Sequence, residues 1–270
     1  MLDVILFLAF NHVMRKAFVI VGTVIVIGIA GATYYLYKQQ QYAKESVPVA
    51  VDAGQLANTN TSVDDAPAGG PAGDSGRELP LPSELNLKMT FYAQAPFGDW
   101  DYPWQEACEE ASILLVANTY FNRNWTREEF RDEILKLVDW ETRTFGDYKH
   151  TDVLQNTRIL SELFGLQSVV MSDPTYDDVR RSLTKGHFLI AFFAGKRLGN
   201  PFYKNGGPNY HVMVIKGFKE GEKIITADVG TKHGEDYVYT WDVVQNALHD
   251  YDEPIESGAK RMIEVIPPKF

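Results

Sequence analysis

One cysteine, Cys108, stands in 270 residues. A lone thiol forms no intrachain disulfide and supplies no Cys-rich zinc site, which excludes both a disulfide scaffold and a zinc finger. Basic charge is scarce as well: 26 Lys and Arg against 36 Asp and Glu leave a net charge of −10. Binding to a phosphate backbone draws on clustered cations, so this deficit argues against a nucleic-acid partner. No repeat at a solenoid or propeller period is present, and no motif calls for a metal or an organic cofactor. What remains is 45% hydrophobic and 23% charged, an ordinary globular composition. With the first third set aside for the segments described next, it suffices for one folded domain.

Ala17 to Tyr37 runs without a charge and is long enough, at about 1.5 Å per residue, to cross a hydrocarbon core of about 30 Å. The expected organisation is an N-terminal extension over 1–16, a transmembrane signal anchor over 17–37, a flexible acidic linker over 38–85 and a folded domain over 86–270. Residues 1–45 carry net +2, residues 46–85 net −5 and residues 86–270 net −7. Arg15 and Lys16 ahead of the span, against Lys38 and Lys44 behind it, favour a cytoplasmic N-terminus and an extracytoplasmic body. A second reading is a signal peptide cleaved near Ala30-Gly31-Ala32, which would release a secreted domain. Tyr34, Tyr35 and Tyr37 favour the anchor, since they put aromatics at the membrane interface. The stretch 46–85 is rich in Ala, Gly, Pro, Ser, Thr and Asp, too poor in large apolar groups to offset ordering entropy.

Downstream, alternating Leu87, Met89 and Phe91 predict a short strand. Residues 106–121 are apolar at helical spacing, with Cys108, Ala111, Leu114, Leu115 and Asn118 on the inward face. Thr126 and Glu129 form a capping box for a second helix through about Val138, and a third runs from Thr151 to Phe164, stopped by Gly165. A strand over 166–172, a helix from Asp173-Pro174 to Lys185 and a buried strand over 187–194 follow. HVMVIKGF and KIITADV read as a hairpin joined through Glu220-Gly221-Glu222. YVYTW, a short helix over 242–248 and RMIEVI complete the chain. Helices gathered first and an antiparallel sheet gathered late predict an α+β domain.

A thiol nucleophile needs thiolate character, a base to take its proton and a third group to orient the base. Cys108 falls in the first turn of its helix, where unpaired N–H groups favour an anion. His211 begins one strand of the hairpin and Asp228 ends the other, so imidazole and carboxylate can meet. Glu106, Glu109 and Glu110 oppose this arrangement, because nearby negative charge raises a thiol's pKa. On a helix the positions after Cys108 turn about 100° and 200° away from it, so these carboxylates are expected to face solvent or to cap the N-terminus.

YAQAPF (92–97), CEEAS (108–112), NYHVMVIKGF (209–218) and ITADVG (225–230) together resemble the C39-like branch of papain-fold cysteine peptidases, which includes bacteriocin-leader processing peptidases. The likeness spans roughly residues 86–245. It implies a papain-like α+β fold with a Cys108 nucleophile, a His211 base, an orienting Asp228 and an oxyanion-hole Gln. Gln94 fits the last role, with Gln105 as the alternative. Val229 and Glu109 depart from the proline and glycine common at these places in relatives, which argues against a double-glycine substrate.

Each residue also has a plainer reading. Free cysteines are usually buried small hydrophobes, and His211 and Asp228 taken singly read as a structural histidine and a turn residue. His187 and His233 are rivals for the base, the first read as a strand start and the second as an exposed turn. Trp100, Trp104 and Tyr210 are candidates to line a substrate cleft, with core packing an equal alternative. The resulting expectation is a membrane-tethered cysteine peptidase or amidase that acts on a peptide or amide through a thioester acyl-enzyme. Its alternatives are a catalytically inactive module of the same fold that holds peptides or cell-wall fragments, and a transglutaminase-like acyl transferase.

Overall fold

Helix α1, Cys108–Tyr120, has no polar face: every residue except Thr119 is buried. A helix enclosed on all sides is the centre of a domain, not its surface. In the computed structural model, which describes residues 14, 16, 22, 23, 25–37, 46–56 and 80–269, α1 lies against the strand that carries His211, with two further helices packed on it. The expected amphipathic stripe is thus wider than predicted and takes in Glu109 and Glu110.

The chain divides into two units, Met1–Glu45 and Ser46–Phe270. In the first, the described residues are helical, including 25–37. Among the described residues no helix is long and apolar enough to cross a membrane. Residues 17–21 and 24 of the expected span, the extension apart from 14 and 16, and linker residues 38–45 and 57–79 lie outside the described residues.

In the second unit the helices α2, Arg127–Phe145, and α3, Val153–Phe164, follow α1. Thr126 and Glu129 form the expected capping box, and Asp152 with Gln155 forms another. Helix α2 runs past the expected stop at Val138. Its buried stripe of Phe130, Ile134 and Leu137 continues at Glu141, and an acid at the next core position hides the continuation from a hydropathy reading. Thr175 and Asp178 cap the next helix, α4, Tyr176–Thr184, two residues later than the predicted Asp173-Pro174 start.

Seven strands make one antiparallel sheet: β1 Leu85–Asn86, β2 Gln167–Ser172, β3 Phe188–Ala194, β4 Tyr210–Lys219, β5 Lys223–Ala227, β6 Glu235–Thr240 and β7 Arg261–Ile266. The order is β2-β7-β3-β4-β5-β6, with β1 on β4. A short helix, α5 Trp241–Ala247, follows β6. β3 is buried throughout, as its unbroken run FLIAFFA requires of a strand covered on both faces. β4 and β5 form the predicted hairpin, with Val214 opposite Ala227.

The expected strand over Leu87–Phe91 is shorter and earlier, at Leu85–Asn86, while Leu87 pairs with Val51. Residues 46–56 therefore pack on the domain: Val51 N–H donates to the Asn86 carbonyl at 2.8 Å, Lys88 N–H to that of Val51 at 2.7 Å, and Ala53 is buried. Their small-residue composition resembles a linker, yet edge hydrogen bonds, side-chain bonds from Asn86 to the Pro48 carbonyl and from Lys219 to the Ser46 carbonyl, and the buried Ala53 methyl hold them.

At the far end of α1, the Tyr120 hydroxyl donates to the Val265 carbonyl at 2.8 Å and lies 3.1 Å from that of Gly186, while it accepts the Phe188 N–H at 2.8 Å. This end of the helix is tied to β3 and β7 by the same oxygen.

Candidate active site

Two adjoining strands and the start of one helix assemble the site. His211 is the second residue of β4, and Asp228 follows β5 directly. The hairpin brings His211 Nε2 to 2.9 Å from Asp228 Oδ1, with both side chains buried. Beside the ring, the chain has no room for a side chain at residue 230: a Cβ on Gly230 would lie 2.8 Å from His211 Cε1.

Asp228 accepts from every side. Gly230 N–H donates to Oδ1 at 3.1 Å. Asn200 Nδ2 at 2.9 Å, Tyr203 Oη at 2.7 Å and Tyr239 Oη at 2.7 Å all converge on Oδ2. Burial alone would raise this carboxyl, but the His211 charge and the hydrogen bonds from His211, Tyr203 and Tyr239 outweigh it and hold the group below the usual range. Asp228 is therefore a fixed anion at neutral pH, and an anion at Nε2 keeps a proton on that nitrogen. The ring's other nitrogen, Nδ1, is left to exchange protons.

Cys108 opens α1, whose N-cap, Ala107, offers no side-chain cap. The N–H groups of the first turn are thus not taken by a capping side chain. The helix that carries the sulfur lies against β4. One turn beyond Cys108, Ser112 Oγ donates to the carbonyl of Val212, the residue after His211, at 3.3 Å. The thiol itself donates to Glu109 Oε2 at 2.9 Å. Among the described residues it makes no hydrogen bond to the His211 ring. Burial first, then the Glu109 charge, push the Cys108 thiol up.

The acids around the sulfur differ from expectation. Glu109 and Glu110 are 1% and 0% exposed, so neither faces solvent. Glu110 faces Glu141 from α2, and burial and that neighbour raise Glu110. Burial also holds Glu141 at about 8. No N–H or O–H of another residue reaches the four oxygens of this pair, so one carboxyl keeps its proton and offers it to the other. The sequence misplaces these acids because a glutamate reads as surface unless its partner, distant along the chain, is known.

Gln94 is buried, and its Nε2 donates to the Trp104 carbonyl at 2.9 Å, while its Oε1 meets no donor. Its backbone N–H donates to the Val229 carbonyl at 2.9 Å, tying it to the Asp228 loop. Gln105 is exposed. Trp100 and Trp104 are half-buried. Tyr210, expected at the cleft, is instead buried, with its hydroxyl donating to the Thr151 carbonyl at 3.1 Å. Burial first, then Glu109, raise this hydroxyl, which also senses Cys108, so the ring lies near the thiol. Of the rival histidines, His187 pairs with Glu264 at 2.7 Å, and His233 stacks on Phe202 with ring centroids 4.4 Å apart.

Sequence reasoning missed Asn200, Tyr203 and Tyr239. The first two follow β3 in a Gly- and Pro-rich loop and the third lies on β6, so only tertiary structure brings them to Asp228. The alternation of tyrosines in EDYVYT was the one available signal, since it puts Tyr237 and Tyr239 on one face.

No curated protein matches this sequence. Among solved structures, the chain is similar to the crystal structure of a protein from Bacillus anthracis described as a C39-like peptidase. That match is 12% identical and covers 69% of this chain and 99% of the other, with a TM-score of 0.46. The model of the Peptidase_C39 like family matches residues 86–253, the stretch that holds Gln94, Cys108, His211 and Asp228, and the chain belongs to that family.

Proposed function

We propose that this protein is a cysteine hydrolase that cuts a peptide or amide bond by acyl transfer. Cys108 Sγ attacks the carbonyl carbon while His211 Nδ1 takes the thiol proton, and a thioester forms as the imidazolium gives that proton to the leaving amine. Asp228 holds the ring and stabilises its positive charge. Gln94 and the first N–H groups of α1 supply hydrogen bonds to the developing oxyanion. Water then releases the acyl group with His211 as base. Residues 17–37 anchor the chain in a membrane, with the domain on the extracytoplasmic side.

The observation that carries this reading is the buried His211–Asp228 contact at 2.9 Å on the strand that the cysteine's helix is bonded to at Val212, through Ser112. The test is hydrolysis of a mixed peptide pool by the purified chain and by Cys108→Ala. Cleavage that disappears in the variant supports the mechanism, and cleavage that survives removes it.

One observation favours a second reading, a binding module without turnover: the thiol donates to Glu109 in place of the imidazole. Under that reading the peptide pool is bound but not cut, and wild type and Cys108→Ala retain the same peptides.

A further inference from the structure

Neighbouring side chains on a helix diverge by about 100°, so a hydrogen bond between Cys108 and Glu109 is not imposed by the backbone. The Glu109 side chain bends back to make it. Its Oε2 accepts from Sγ at 2.9 Å, while its buried Oε1 meets no donor. No ion pair neutralises Glu109 among the described residues. The groups that face it are Cys108, Glu106 and Glu110 from its own helix and the turn before, Tyr210 from β4 and Glu141 from α2. Burial first, then Glu110, raise Glu109 above the ordinary carboxylate range; the thiol proton is the donor that its Oε2 holds, and the sulfur has a single proton to give. While Glu109 holds that proton, His211 does not.

We propose that Glu109 is a positioning residue that keeps Cys108 as a resting thiol, turned from His211 until an acyl substrate enters. Activation is then a change of partner. The S–H bond breaks, an N–H bond forms on His211 Nδ1, and a thiolate and imidazolium replace the thiol and neutral ring. Glu109 takes no part in the transfer and loses only a donor. This inference rests on Cys108 as the nucleophile, but its test needs no turnover.

Because the chain holds one cysteine, the S–H stretching band in the infrared and alkylation by iodoacetamide both report Cys108 alone. In the full-length wild type, the band is expected at lower frequency than that of an unbonded thiol, with slow alkylation at pH 7. In Glu109→Gln the band moves up, and alkylation at pH 7 accelerates about tenfold, as expected for a fall of about one pKa unit. Glu109→Asp keeps the carboxyl group but withdraws it by one methylene, so its band moves up with a smaller gain in rate. A wild-type band at the unbonded position overturns the proposal without any variant, as does a Glu109→Gln rate within twofold of wild type. Absence of peptide cleavage removes the hydrolase reading and leaves these spectra to decide the role of Glu109.

Discussion

Tyr239 Oη and Asn200 Nδ2 reach the same carboxylate oxygen, Asp228 Oδ2, at 2.7 and 2.9 Å, and are themselves 2.8 Å apart. The oxygen facing away from His211 is saturated, which leaves Oδ1 for the imidazole and for Gly230. Rotation of the carboxylate would break these bonds together, so the network fixes the direction from which the ring is held.

Removing one member should be costly. Tyr239→Phe leaves the aromatic packing and deletes a hydrogen bond to a charged, buried acceptor, worth about 1.5–3 kcal/mol. Urea unfolding should show a loss of that size. A loss within error of zero would mean that Tyr203 and Asn200 carry Oδ2 unaided.

Asp228→Asn should lower peptide hydrolysis on the order of 10²–10⁴-fold, because an amide neither fixes the ring tautomer nor offsets the imidazolium charge. It also changes acid stability. Asp228 is held below its ordinary value of about 3.9, so its contribution to folding is present above that pH and is lost as pH falls through the lower folded value. Melting temperatures below about pH 4 should therefore fall more steeply in wild type than in the variant.

Glu110 and Glu141 should act in the opposite direction. Burial raises both, with Glu141 at about 8. Stability from this pair is complete below the unfolded value of about 4.3 and is withdrawn as pH rises through the folded values. The wild-type melting temperature should decline between pH 5 and 8, and Glu141→Gln should flatten that decline, because an amide donates to Glu110 without ionising. A wild-type profile flat over this range would contradict the buried, protonated pair.

Gly230→Ala should damage chemistry more than fold. Its added methyl would lie 2.8 Å from His211 Cε1 and 3.1 Å from both His211 Nε2 and Tyr203 Cε1, so the ring must shift. Hydrolysis is expected to drop about tenfold or more, since small displacements of a catalytic group are expensive, while circular dichroism stays that of wild type.

Much of this architecture was readable from local pattern. The hairpin that joins His211 to Asp228 announced itself through two apolar runs around Glu220-Gly221-Glu222, and Thr126 with Glu129 marked the start of α2. Hidden features share one cause: they depend on partners far along the chain. Glu109 and Glu110 read as exposed until Glu141 and β4 enclose them. Residues 46–56 read as linker until Leu87 supplies an edge. Tyr210 read as a cleft residue until the Thr151 carbonyl gave its hydroxyl a buried acceptor.

The Tyr120 hydroxyl, bound at once to β3 and β7, constrains how the opposite end of its helix can work. A helix bonded at its C-terminal end to β3, to β7 and to the turn before β3, and held by Ser112 to Val212, cannot piston along β4. Any exchange of partner by the sulfur is consequently a matter for the Cys108 side chain, and not for a rearrangement of the scaffold.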